Sequence, residues 1–119
     1  MASKAVKIEW GMPIQGRELK ALEVFASSVA YWTKLQEDGK IENFAAYGNL
    51  SGNMAERAGF VVINGSDEQI DTLVVDETWR SHLTDVLVIG NNVQIDLCET
   101  GNEMQTRMER YAKSVKKLG

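Results

Sequence analysis

The sequence predicts an α+β domain with the element order β-α-β-β-α-β and one further helix at its C-terminus. Two observations carry that expectation. First, the hydrophobic period switches cleanly along the chain. Ala5–Met12 alternates, Arg17–Asp38 repeats helically, and Ile41–Leu50 and Gly59–Asn64 alternate again; Ser66–Val86 is helical, Val93–Cys98 alternates, and Glu103–Leu118 is helical. Second, turn and cap residues fall at the switches: Pro13, Asp38-Gly39, Ser51-Gly52-Asn53, Gly90-Asn91-Asn92 and Thr100-Gly101. That order is the split βαβ arrangement of ferredoxin-like domains. At 119 residues, positions 1–119 are expected to form a single ferredoxin-like domain, long enough for one core and too short for two.

Taken in order, the first strand places Val6, Ile8, Trp10 and Met12 on one side, with Lys7 and Glu9 on the other. Pro13 ends it. The helix that follows spans roughly 20 residues, about 30 Å. Leu19, Leu22, Ala26, Val29 and Thr33 are its expected inward stripe. Val24, Phe25, Tyr31, Trp32 and Leu35 widen the apolar surface beyond what one sheet needs, which points to a second contact, a partner subunit. Gly39 suits the left-handed position that closes the helix. Ser66-Asp67-Glu68-Gln69 reads as a capping box, and Trp79, Leu83 and Val86 continue an inward stripe. Val86–Ile89 fits either a helix end or a strand. Thr100-Gly101-Asn102-Glu103 reads as another capping box. In the last helix Met104, Met108, Tyr111, Val115 and Leu118 recur at spacings of four and three, a stripe suited to core or dimer packing.

Composition excludes several classes. Hydrophobic residues make up 44% and charged residues 25%, as in ordinary soluble domains. The net charge of −4 disfavours approach to phosphate backbones and anionic bilayers, so neither nucleic acid nor membrane is an expected partner. No apolar run approaches the ~20 residues of a membrane span, and no leader pattern opens the chain, so a cytoplasmic location is expected. Cys98 is the single cysteine and His82 the single histidine, which leaves no disulfide and no zinc site. Gly11–Gly16 stands where a P-loop would, between strand and helix. Arg17-Glu18 replaces its Lys-Ser/Thr pair, and Glu18 would repel phosphate, so that motif is rejected.

Parity divides the sheet into two faces. Val6, Ile8, Trp10, Phe44, Val61, Ile63, Val93, Ile95 and Leu97 belong under the helices. Lys7, Glu9, Asn43, Ala45, Tyr47, Phe60, Val62, Gln94, Asp96 and Cys98 belong on the open face. The second set is half polar and half apolar, the lining of a small-molecule cleft or of a wet dimer interface.

Three stretches carry a resemblance: Gly16-Arg17-Glu18 with Ala21-Leu22-Glu23-Val24-Phe25; Lys34-Leu35 through Gly39-Lys40-Ile41-Glu42; and Gly59-Phe60-Val61-Val62-Ile63 with Gly65. They resemble a family of small, mostly uncharacterised bacterial proteins of the dimeric α/β-barrel superfamily, over roughly Lys7 to Gly101. The resemblance implies a ferredoxin-like homodimer whose open sheet faces pair into a shared barrel. It also implies a range of activities, from cofactor-free monooxygenases and isomerases to haem-degrading enzymes, and fold does not choose among them.

The open face supplies the candidate chemistry. Glu9 and Asp96 are the candidate acid–base pair, with His82 as a candidate general base. Lys7, Asn43, Tyr47 and Gln94 are the candidate ligand-binding residues around them. The plainer account is solvated strand residues and a dimer salt bridge. By the resemblance, His82 with Trp79 and Asn43 would be a haem-ligating set. The plainer account is a histidine beside the core stripe. Cys98 is expected to pack as a small apolar residue. No cofactor and no metal are expected. The expected function is small-molecule binding in the open-face cleft of a homodimer, with a cofactor-free monooxygenase or isomerase as its catalytic form. The alternative is a non-catalytic dimeric module.

Overall fold

Four antiparallel strands and four helices are arranged along residues 2–119, the residues described by the computed structural model. The strands are β1 (Lys4–Trp10), β2 (Asn43–Gly48), β3 (Gly59–Gly65) and β4 (Gln94–Glu99). Helix α1 (Glu18–Glu37) links β1 to β2. Helices α2 (Asp67–Leu73) and α3 (Glu77–Leu87) link β3 to β4, and α4 (Gly101–Leu118) follows. The sheet order is β2-β3-β1-β4, the split βαβ topology expected from the element order.

Register confirms the parity. Val6 stands opposite Ile63 and Leu97, and Ile8 opposite Val61 and Ile95, all on the helix side. Lys7 stands opposite Val62 and Asp96, and Glu9 opposite Phe60 and Gln94, on the open side. The core is the helix-side set Val6, Ile8, Val61 and Ile63 closed by Trp32, Leu35, Ile70, Leu73, Trp79 and Val86. Helix α1 packs against β2 and α3, and α2 against β1 and β3. The expectation that Ile95 and Leu97 lie under the helices is corrected: they are on the helix side of edge strand β4 but 39% and 60% exposed, because α1 packs on β2 and α2 on β1 and β3.

Three local readings are corrected and one open alternative is decided. The helical stretch 66–86 is two helices: Asp76 caps a new one, its carboxylate accepting the Trp79 N–H at 3.1 Å. Val86–Ile89 is a helix end, with Val88 as C-cap and only the isolated bridge between Pro13 and Gly90 beyond it. The buried stripe of α1 is Ala21, Ser28, Trp32 and Leu35, while Leu19 and Leu22 face solvent. Thr100 caps α4 without a side-chain hydrogen bond, and Gly101 opens the helix at φ +59°. Two readings hold as expected. Ser66 and Gln69 form a reciprocal capping box. Helix α1 closes on Gly39 at φ +73°, with Gly39 N–H donating to Gln36 and Lys40 N–H to Leu35, a Schellman closure.

Candidate functional site

Strand β1 positions candidate chemistry on both faces at once. On the open face Lys7 and Glu9 are two residues apart, their charges 3.8 Å from one another. Asp96 lies directly opposite Lys7 across the β1–β4 ladder, so Lys7 neighbours both carboxylates, Glu9 along its own strand and Asp96 on the next. Its ammonium also sits 5.2 Å above the Phe60 ring, and Tyr47 stacks on that ring at 4.9 Å. Gln94 pairs across from Glu9. Asn43, further along β2, accepts a hydrogen bond from Asn64 at 2.9 Å. The open-face candidates therefore share one surface, organised around Lys7 and Phe60.

His82 is elsewhere. It is 9% exposed on the other side of the sheet, ringed by Tyr31, Trp32 and Trp79 at centroid distances of 5.0 to 5.6 Å. Its Nε2 accepts the Trp32 indole N–H at 3.0 Å, which leaves Nδ1 as the protonated nitrogen of the neutral ring. Burial pushes its pKa below the ordinary value, against a smaller upward pull from Asp85. Glu9 and Asp96 cannot reach it through the sheet, and Asn43 is likewise on the far face. Neither the acid–base set nor the haem-ligating set comes together around His82. Among the described residues, no group of three His, Cys, Asp or Glu side chains is placed to hold a metal ion.

A half-open apolar pocket lies on the helix side, and hydrophobic periodicity gives no sign of it. A cavity of about 200 Å³ opens between β1, the first half of α1 and the end of α3. Ile8, Trp10, Phe25 and Trp32 wall it with aromatic and aliphatic surface; Ala21, Ser28, Gly11, Ala58 and Gly90 contribute little volume, and this is why a space remains. Trp10 and Phe25 meet edge to face at 6.0 Å. The Ser28 hydroxyl donates to the Val24 carbonyl at 2.7 Å. No titratable side chain lines the cavity.

Three loops close one end. Gly11 N–H donates to Asn91 O at 2.7 Å and Met12 N–H to Ala55 O at 3.1 Å, while Ala58 N–H donates to Trp10 O at 2.7 Å. The Asn91 side chain donates to Met12 O, and Arg17 donates to Val88 O. A Cβ at Gly11 would stand 2.3 Å from Ala55 O, so only glycine allows this convergence. A Cβ at Gly59 would press on the Trp10 indole at 3.1 Å, and its absence lets that ring lie across β3.

No protein-family model matches the chain, and no curated protein sequence matches it significantly. Solved structures do resemble it. A dimeric ferredoxin-like protein of unknown function from Jannaschia sp. CCS1 superposes with a TM-score of 0.62 at 10% identity, covering 82% of this chain and 99% of that one. A dimeric protein of unknown function and ferredoxin-like fold from Bacteroides fragilis NCTC 9343 gives 0.59 at 8% identity, covering 82% and 96%. SnoaB, a cofactor-independent oxygenase from Streptomyces nogalater, gives 0.53 at 10% identity, covering 84% and 95%. The likeness establishes the ferredoxin-like fold. No helix among the described residues is long and apolar enough to cross a membrane.

Proposed function

We propose that this protein binds a small, neutral, largely apolar molecule in the helix-side cavity, and that it does so as a homodimer. The cavity itself carries the reading. It is walled by Trp10, Phe25 and Trp32, and at about 200 Å³ it has room for a ring system of one or two rings. A dry cavity of about 150 Å³ suffices for benzene. The lining offers no acid or base, so recognition is by shape and by burial of apolar area. The dimeric state draws support from the two dimeric structural neighbours and from the half-apolar open face.

The test is titration with indole and naphthalene, followed by the indole N–H signals of Trp10 and Trp32 in NMR spectra. Saturable binding with shifts at those two residues is expected, and Ala21→Leu, which fills the cavity, is expected to weaken it at least tenfold. Absence of saturable shifts at Trp10 and Trp32 would sink the reading.

A second reading keeps the ligand on the open face, where Lys7 beside Glu9 and across from Asp96, over the Phe60 ring on which Tyr47 stacks, offers a charged and aromatic surface. A cofactor-free isomerase or monooxygenase would use the two carboxylates there, with Asn43 and Gln94 as polar contacts. Under that reading Glu9→Gln with Asp96→Asn abolishes ligand binding and leaves the dimer intact. Under the first reading the pair leaves cavity binding unchanged.

A further inference from the structure

Helix α4 is an amphipathic helix that meets its own chain through an ion pair of Arg107 with Glu99 of β4 at 3.0 Å, while its apolar side is left uncovered among the described residues. None of its residues is buried. Met104, Met108, Tyr111, Val115 and Leu118 repeat at four and three, so they form one seam, and Tyr111 and Leu118 are 68% and 89% exposed. At 18 residues the helix is about 27 Å long, more than the ~14 Å between the outer strands of a four-stranded sheet. A bare apolar strip immediately precedes it. Ile95 and Leu97 lie on the helix side of β4, next to Ile8 and Val6 of the core, and are left uncovered.

Charge says what covers what. Helix α4 carries five basic side chains against two acidic ones, while residues 1–100 carry eight against fifteen. The α2–α3 crossover, which leads into β4, holds Asp67, Glu68, Asp71, Asp76, Glu77 and Asp85 against the single basic Arg80, and its Asp67 and Asp71 bond Ser3 and Lys4 at the end of β1 that pairs with Glu99 of β4. A helix pairing with its own copy would bring two basic surfaces together. A basic apolar-seamed helix laid on β4 of a second copy, beside that acidic crossover, satisfies both the seam and the charge.

We propose that α4 is exchanged between two copies of this chain, each helix docking its Met104–Leu118 seam on the helix-side strip of β4 in the other. The contact is isologous: a two-fold axis makes both dockings at once and leaves neither seam open. It is independent of the cavity and of what the cavity binds.

The experiment uses the full chain. Tyr111→Cys in a Cys98→Ser background is labelled with benzophenone maleimide, mixed with an excess of ¹⁵N-labelled wild-type protein and irradiated. Crosslinks to heavy peptides containing residues 93–99 are expected. Crosslinks to the light chain alone mean that α4 folds back on its own body and overturn the proposal. So do crosslinks to heavy peptides from α4 or from the open face. In sedimentation, Met108→Glu with Val115→Glu is expected to weaken self-association at least tenfold, and more weakly associating wild-type protein is expected at high salt. An unchanged dissociation constant for the variant, or a monomeric wild type, overturns it. Naphthalene binding persists in the variant under the proposal, so failure of the exchange and failure of the cavity reading are told apart.

Discussion

Helices α1 and α4 are nearly equal in length and both are amphipathic, yet they meet opposite fates. Helix α1 buries Ala21, Ser28, Trp32 and Leu35 against the sheet, and α4 buries nothing. The difference lies in what the topology offers. Helix α1 is a crossover, tethered at both ends to strands of the same sheet, so its apolar side has to return to that sheet. Helix α4 follows β4 from Thr100 and is not a crossover between strands of the sheet, and its seam is not answered among the described residues. An apolar stripe therefore fixes that a helix needs a partner. The connections fix whether the partner belongs to the same molecule.

The sharpest test of that contrast pairs two aromatic truncations. Trp79→Ala, at 1% exposure in the helix layer, is expected to cost about 3–5 kcal/mol in urea unfolding. Tyr111→Ala on α4 is expected to change stability of the dilute monomer by less than about 0.5 kcal/mol. Equal losses would break the comparison. Next in size, Trp32→Phe removes the indole donor and strands the His82 acceptor in the interior. A loss of about 1–3 kcal/mol is expected, read as a shift in denaturation midpoint.

The same pair gives a pH dependence of defined sign. Because burial lowers the folded pKa of His82, the unfolded chain takes up the proton first as pH falls. The contribution is fully present above the ordinary value of 6.5 and is lost as pH falls from there through the folded pKa. Thermal melts between pH 8 and 5 should show this decline in the wild type and a shallower one in His82→Gln. The smallest effect separates two caps. Ser66→Ala removes a reciprocal capping box and should cost about 1 kcal/mol, whereas Thr100→Ala, which loses no side-chain bond, should stay within about 0.5 kcal/mol.

Much of this architecture is legible in the sequence because period-two alternation is a local property. Val6, Ile8, Val61 and Ile63 declare their face without reference to anything distant, and the observed ladders agree with them. The helix break at Val74–Asp76 had a signal, since Asp76 followed by Glu77 is an N-cap pattern, but a run of aliphatic residues masked it. On α1 size and burial part company, since the large Leu19 and Leu22 face solvent while the small Ala21 and Ser28 are buried. The cavity was illegible for the same reason. It is made by Gly11, Ala21, Ser28, Ala58 and Gly90, where side-chain volume is withheld, and hydrophobic periodicity records only volume supplied. The placement of His82 behind the sheet was equally hidden, because the bond that holds it spans fifty residues.

The convergence of three loops on Gly11 has a consequence for how this protein can change. At that end the wall is backbone, locked by mutual hydrogen bonds and with no room for even a methyl group, so substitution there breaks the wall rather than reshaping it. Helix α1 is different: Ala21, Val24, Phe25 and Ser28 can be exchanged for larger or smaller side chains along one rigid rod. A lineage adapting the cavity to new molecules would accumulate its variation on two turns of α1 while the loop end stayed constant, so that a fixed stop and an adjustable jaw share one chamber.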